Sequence, residues 1–144
     1  MTTPQHFGRT IADTARAWRR EMDNQLKPMG MSQARWMVLF SLSQRGEGIA
    51  QRDLAAYLSI EGPTLVRILN KLESEGWVER RDHPEDKRCK LVYLCEKATP
   101  ILDQITGTAA KLREQLLHGI PAENLATCLN VMETIKSRLE SMNK

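Results

Sequence analysis

Between Gln51 and Cys95 the chain runs two short amphipathic helices, a tight turn and a pair of strands together without slack, and few folds accept that order. Leu54, Ala55 and Leu58 share one face of a helix expected over Gln51–Leu58. Ser59-Ile60-Glu61-Gly62 reads as a turn, and Pro63 falls where proline is favoured, in the first turn of a new helix. That helix turns Leu65, Ile68, Leu69 and Leu72 inward and Thr64, Arg67, Asn70, Lys71 and Ser74 outward. Gly76 stands where a C-terminal cap is needed. Trp77–Arg81 then reads as a strand, Asp82–Cys89 as a polar loop containing Pro84, and Lys90–Cys95 as the return strand. The expected fold is mainly α with a small β-hairpin wing, a winged helix-turn-helix.

Helices are expected on both sides of this unit. Ile11, Ala15, Trp18 and Met22 recur at spacings of three or four on a helix over Phe7–Leu26, which Lys27-Pro28-Met29-Gly30 ends. Ser32 offers an N-cap to a second helix through Trp36, Leu39, Phe40 and Leu42–Ser43, and Gly46-Glu47-Gly48 breaks it. Beyond the wing, Pro100 to His118 repeats Ile101, Leu102, Ile105, Ala109, Leu112 and Leu116, and Gly119-Ile120-Pro121 interrupts it. From Ala122 onward Leu125, Cys128, Met132, Ile135, Leu139 and Met142 alternate threes and fours, a heptad seam of about two and a half repeats. So short a seam is marginal alone and calls for a partner helix. With no internal repeat, residues 1–144 read as a single domain, with helices in 1–31 and 98–144 flanking a winged helix-turn-helix in 32–97.

Composition excludes several function classes. Residues 1–35 carry six Lys/Arg against three Asp/Glu, whereas residues 51–97 carry nine of each, so the winged region is no general polycation. Any grip on phosphates must come from local placement, and the cluster Arg80, Arg81, Lys87, Arg88 and Lys90, set against Asp82, Glu85 and Asp86, reads by itself as a solvated turn more readily than as a binding patch. Cys89, Cys95 and Cys128 form no Cys-x-x-Cys pair, and no histidine lies at zinc-ligand spacing, so no metal or cofactor is expected. The thiols read as reduced, with Cys89 open to oxidants in the hairpin. His6, His83 and His118 stand too far apart in the pattern to converge, no glycine loop cradles a phosphate, and no catalytic residues are expected. No apolar run approaches the ~20 residues of a membrane span, and Met1–Gly8 lacks the charged head and apolar core of a secretion signal. The expected location is the cytoplasm, with no membrane partner.

A helix fits the major groove of DNA, and its first turns bring side chains to base edges. Here those turns offer Thr64, Leu65 and Arg67, and the forked guanidinium of Arg67 can hold a guanine edge or a phosphate. The alternative is a winged-helix protein-interaction module that never touches DNA. Such a module would not need Arg67 and a wing arginine to act together.

The stretch from Ile60 through Pro63-Thr64-Leu65-Val66-Arg67 to Leu72-Glu73 and Gly76 resembles the recognition-helix segment of the MarR family, its SlyA branch in particular. The wing is similar too: Asp86-Lys87-Arg88 matches the family's Asp-x-Arg loop, and Leu91-Val92-Tyr93-Leu94 its apolar return strand. Trp18-Arg19, Leu26-Lys27-Pro28, Trp36 and His118-Gly119-Ile120 extend the likeness over roughly residues 8–140. The resemblance implies a homodimer whose dimerisation helices, in 1–31 and 98–144, interlock, bound to a pseudo-palindromic operator in double-stranded DNA and acting as repressor by occlusion or as activator by displacing a nucleoid silencer. Pro63, Thr64 and Arg67 match the family's groove readers and phosphate contacts, Arg88 its wing arginine, and Asp86 the carboxylate that braces it. Lys87 stands where the branch often has Arg, Cys95 where a Thr is usual and Cys89 where a small residue is. Ser32, Gln51, Gly62, Leu65 and Lys71 complete the expected DNA-contacting set.

Members of the family often bind phenolic carboxylates between dimer helices and winged domain. Arg16, Trp18, Arg19 and Trp36 are the expected ligand-binding residues, because aromatic faces stack on a ring and guanidinium pairs a carboxylate. The same tryptophans would equally serve as core packing, with the arginines facing solvent or DNA.

Overall fold

A computed structural model of the chain describes residues 4–46 and 48–143; Glu47, read above as part of a helix break, lies outside the described residues. The chain divides into two compact units, Met1–Ala110 and Lys111–Lys144.

In the first unit, helix α1 spans Phe7–Leu26 and ends in a 3-10 turn at Lys27–Met29. Gly30 takes the left-handed conformation (φ 79°) that closes this turn without the Cβ clash other residues would suffer. Ser32 then caps α2 (Gln33–Arg45), its Oγ accepting the Arg35 backbone N–H at 3.4 Å. A two-residue strand β1 (Ile49–Ala50) leads into α3 (Gln51–Leu58) and α4 (Gly62–Ser74), which starts on Gly62-Pro63. Strands β2 (Val78–Asp82) and β3 (Lys90–Leu94) form the wing hairpin. The 3-10 turn Glu96–Ala98 leads into α5 (Thr99–Leu117).

The sheet departs from expectation in its strand count and in the ends of its hairpin strands, β2 reaching Asp82 rather than Arg81 and β3 stopping at Leu94 rather than Cys95. The sheet has three antiparallel strands in the order β1-β3-β2, with Ile49 opposite Val92 and Ala50 opposite Leu91. A two-residue strand is too short to show alternation, so only its pairing reveals it. Strand β2 also begins at Val78 rather than Trp77. The reason is that the Trp77 N–H donates to the Leu72 carbonyl at 3.0 Å, and the Gly76 N–H to the Glu73 carbonyl at 3.0 Å, closing the end of α4.

The core of this unit is aliphatic: Leu26, Leu39, Leu42, Leu54, Leu65, Leu69, Leu72, Val78, Val92 and Ile105 are all withdrawn from water. The apolar stripe of α1 is treated unevenly. Met22 and Leu26 are buried, whereas Ile11 and Trp18 are half-buried and Phe7 and Ala15 exposed. The second unit holds the end of α5 and all of α6 (Ala122–Met142). No residue of α6 is buried: Leu125, Met132 and Ile135 are half-covered, and Leu129, Leu139 and Met142 are exposed.

Gly76 combines a left-handed φ of 79° with a tight environment, because a Cβ there would meet Lys97 Cδ at 3.1 Å. Gly76→Ala is expected to lower unfolding free energy by about 1–2 kcal/mol, read by denaturant titration.

Candidate nucleic-acid interface

Helix α4 has two unlike sides. Leu65, Leu69 and Leu72 are each 0% exposed, while Pro63, Arg67, Asn70, Lys71 and Ser74 face solvent. Thr64 is half-buried, and its Oγ1 accepts from Arg67 Nη2 at 3.4 Å, so the two share one face. The expectation that Leu65 reaches a base edge is corrected here. It occupies the same stripe as Leu69 and Leu72, four and seven residues on, and none of its surface is available to DNA.

The clustered charges after α4 sort into separate partnerships. Arg80 turns back onto α4: its Nη2 lies 2.7 Å from Glu73 Oε1 and 2.5 Å from Asn70 Oδ1, and its backbone N–H donates to Glu73 Oε2 at 3.0 Å. The Arg80 guanidinium holds the Glu73 carboxyl below the usual range, partly opposed by burial. Arg81 pairs with Glu79 and lies over the Tyr93 ring, 4.0 Å from its centroid. Lys90 pairs with Asp82 across the hairpin.

Two hydrogen bonds shape the wing tip, His83 N–H to the Cys89 carbonyl and Cys89 N–H to the Asp86 carbonyl, both 3.0 Å. Asp86 Oδ1 accepts the Arg88 backbone N–H at 3.0 Å and its Nε at 3.2 Å. That backbone N–H, then the guanidinium, draws the Asp86 carboxyl down, so it stays ionised and orients Arg88. The Arg88 side chain itself is 93% exposed. Lys87 is exposed and forms no ion pair among the described residues.

An open groove of about 740 Å³ separates this tip from the helix pair. Gln51, Arg52 and Ala55 of α3, Gly62 and Val66 of α4, and Asp86, Arg88, Cys89 and Lys90 of the wing line it. Four expected site residues thus meet there: Gln51, Gly62, Asp86 and Arg88. Lys90 belongs to the charge cluster noted in the sequence but not to the expected contact set, and Arg52 has no place in either. Arg52 stands in the first turn of α3, its side chain 85% exposed, and a cation at the start of a helix beside a turn was the available signal. A Cβ at Gly62 would meet no atom within 4 Å, so the groove is open beside the start of α4.

Ser32 acts as the α2 cap and does not line the groove, and Lys71 lies one turn beyond Arg67 on the exposed face of α4. The expected ligand set does not gather as one. Arg16 and Arg19 line an open depression of about 310 Å³ with Arg20, Asp23 and Gln33, but neither Trp18 nor Trp36 lines it. Trp36 is corrected to a core residue: it is 5% exposed, and its Nε1 donates to Asp23 Oδ1 at 3.3 Å. Arg16 is tied to Asp13 at 2.5 Å. Burial raises the Cys95 thiol, which keeps it protonated. Among the described residues no His/Cys/Asp/Glu group could hold a metal ion, and no helix is long and apolar enough to cross a membrane.

A helix seated on a second helix, its cationic face turned outward beside a hairpin tipped with arginine, defines a winged helix-turn-helix of the kind DNA-binding regulators use. Known proteins agree. The MarR family profile matches residues 31–90. The transcriptional regulator PA3341 is 42% identical over 94% of this chain and 98% of its own, with a TM-score of 0.86. Wild-type MarR from E. coli in its apo form is 28% identical over 94% of this chain and 98% of its own, TM-score 0.74. The transcriptional regulator SlyA is 18% identical over 94% of each chain, TM-score 0.78, a likeness of fold. The chain belongs to the MarR family of transcriptional regulators.

Because the Glu73 carboxyl is lowered in the folded state, its tie to Arg80 contributes stability that is fully present above the ordinary glutamate range and is lost as pH falls below that range through the lowered folded-state value. Melting temperatures of wild type and Glu73→Gln should therefore differ at pH 7 and converge as the pH falls below the ordinary glutamate range. A gap that stays constant with pH would show that the carboxylate charge is not what matters.

Proposed function

We propose that this protein is a homodimeric, sequence-specific DNA-binding regulator that inserts α4 of each protomer into the major groove of a half-site. Thr64 and Arg67 face base edges, Lys71 faces a flanking phosphate, and Arg88 and Lys87 reach from the wing toward the neighbouring minor groove. The observation that carries this reading is the groove between helix pair and wing. A DNA strand must pass between a helix in the major groove and a wing beside it, and the cations Arg52, Arg88 and Lys90 line that passage. Gly62 lets the strand approach backbone there. Pairing of protomers is supported by the apolar surface left uncovered on α1 and, separately, on α6, where Leu129 is 64% and Met142 77% exposed. Residues 1–31 and 98–144 serve pairing in this reading, and 32–97 serve DNA. Placement in the SlyA branch rests on the sequence motifs around Trp18-Arg19 and His118-Gly119-Ile120. The protein acts by binding and has no catalytic step.

Binding to a selected inverted repeat should weaken steeply with salt, by about 0.9 log units per log unit of salt for each phosphate neutralised. Arg67→Ala should cost about 1–3 kcal/mol and relax preference at one base position, whereas Arg88→Ala should lower the salt slope by about one. Equal loss on specific and random DNA for Arg67→Ala would reduce it to a phosphate contact. Salt-insensitive binding would favour the protein-interaction alternative.

A small aromatic carboxylate is the second part of the reading, supported by Arg16, Arg19 and Arg20 lining one depression with a single carboxylate, Asp23. Millimolar salicylate should weaken operator binding, and Arg19→Ala should blunt that response. Unchanged operator affinity across the titration rejects the ligand.

A further inference from the structure

Arg35 stands just inside α2, away from the outward face of α4, and its side chain is only 16% exposed. Three segments distant in sequence converge on it. Its Nη2 lies 2.5 Å from Oε2 of Glu75, the residue that ends α4. Its guanidinium carbon sits 4.8 Å from the ring centroid of Trp77, which leads into the wing. Its Nη1 donates at 3.3 Å to the carbonyl of Gly30, the elbow between α1 and α2. One planar cation therefore joins the end of the reader helix, the root of the wing and the end of α1.

Stability alone is a poor reason for this arrangement. Arg35 Nε and Glu75 Oε1 are both buried without a hydrogen-bond partner. Withdrawing two charges from water costs more than their attraction returns unless the remaining polar atoms are satisfied, and an apolar pair of similar size would often do as well. The best-attested use of such a pair is to fix register between elements. Geometry agrees, since a guanidinium can bond a carboxylate, bond a carbonyl and stack on an indole at once, which no apolar side chain can.

We infer that Arg35 is a positioning residue that sets the half-site spacing the dimer accepts, by tying the elbow after α1 to the C-terminal end of the reader helix. This rests on the reading of the protein as a dimer on two half-sites. Protomers paired through α1 carry their readers at a separation that depends on how firmly α4 is held to α1. Each base pair inserted between half-sites moves one of them by about 3.4 Å and turns it by about 35°. A stiff tie makes that displacement costly; a loosened tie lets the reader follow.

The test compares wild type, Arg35→Met, Arg35→Lys and Glu75→Gln on the selected inverted repeat and on versions with one base pair added or removed between half-sites. Wild type should lose about tenfold or more in affinity on the altered spacings, a penalty like that of a mismatched position. Arg35→Met and Glu75→Gln should lose less than about threefold, and Arg35→Lys should fall between, because an ammonium keeps the Glu75 pair but cannot also stack and reach Gly30. Melting temperature is followed alongside, and should Arg35→Met fail to fold, Glu75→Gln carries the same comparison. A spacing penalty equal to wild type in folded variants, even with lower overall affinity, would make the tie merely structural and overturn the inference. A wild-type protein indifferent to paired half-sites would instead remove the dimeric reading, and this inference with it.

Discussion

Leu65, Leu69 and Leu72 leave water completely along one side of α4. Burying each leucine contributes about 1.5–3 kcal/mol, so the three together hold the rotation of this helix about its axis. A turn of one residue, about 100° at 3.6 residues per turn, would expose leucine and drive Arg67 inward, where an unpaired cation is far costlier than lost leucine burial. The outward set of Arg67, Lys71 and Asn70 is thus a consequence of core packing. Pro63 and the Gly76 turn bound the helix at its two ends, so its length is set as firmly as its rotation.

Electrostatics around α4 divide into two kinds of work. Arg80 and Arg35 are spent on the fold, the first against Glu73 and Asn70 and the second against Glu75 and Gly30. Arg88, Arg52 and Lys90 border the open groove. This explains how a region with equal numbers of acidic and basic residues can still serve DNA. Several acids neutralise structural cations, and Asp86 steadies Arg88 instead of cancelling it, since the guanidinium remains almost wholly exposed.

Much of the fold was legible in the sequence because its helices are amphipathic and clearly punctuated. The bounds of α1 and α3 follow from the Pro28-Gly30 and Ser59-Gly62 signals and agree with the structure. The outward residues of α4 follow from its 3.6-residue period. Strand β1 was not legible, because two residues carry no period and Ile49–Ala50 become a strand only through Val92 and Leu91. Among the expected site residues, Gln51, Gly62, Asp86 and Arg88 line one groove. Leu65 does not belong with them, since the same residue was assigned both to the core stripe and to the reading face, and a helix side cannot be both. Trp36 failed as a ligand residue because an aromatic at helical spacing reads alike whether it packs or stacks on a ligand.

By itself the sequence determined the order of the helices and the wing hairpin, the ends of α1 and α3 and the two faces of the reader, since these depend on local periodicity and on what proline and glycine permit. Only the tertiary structure decided which acid each cation meets and which cations also border the groove. Arg80, Arg81, Arg88 and Lys90 look alike in a row of letters. Strand pairing and the return of β2 onto α4 place Glu73 against the first, Glu79 and Tyr93 against the second, Asp86 against the third and Asp82 against the fourth, with the last two also lining the groove. An ion pair depends on distances of a few ångströms between residues brought together by folding, and no spacing along the chain encodes that distance.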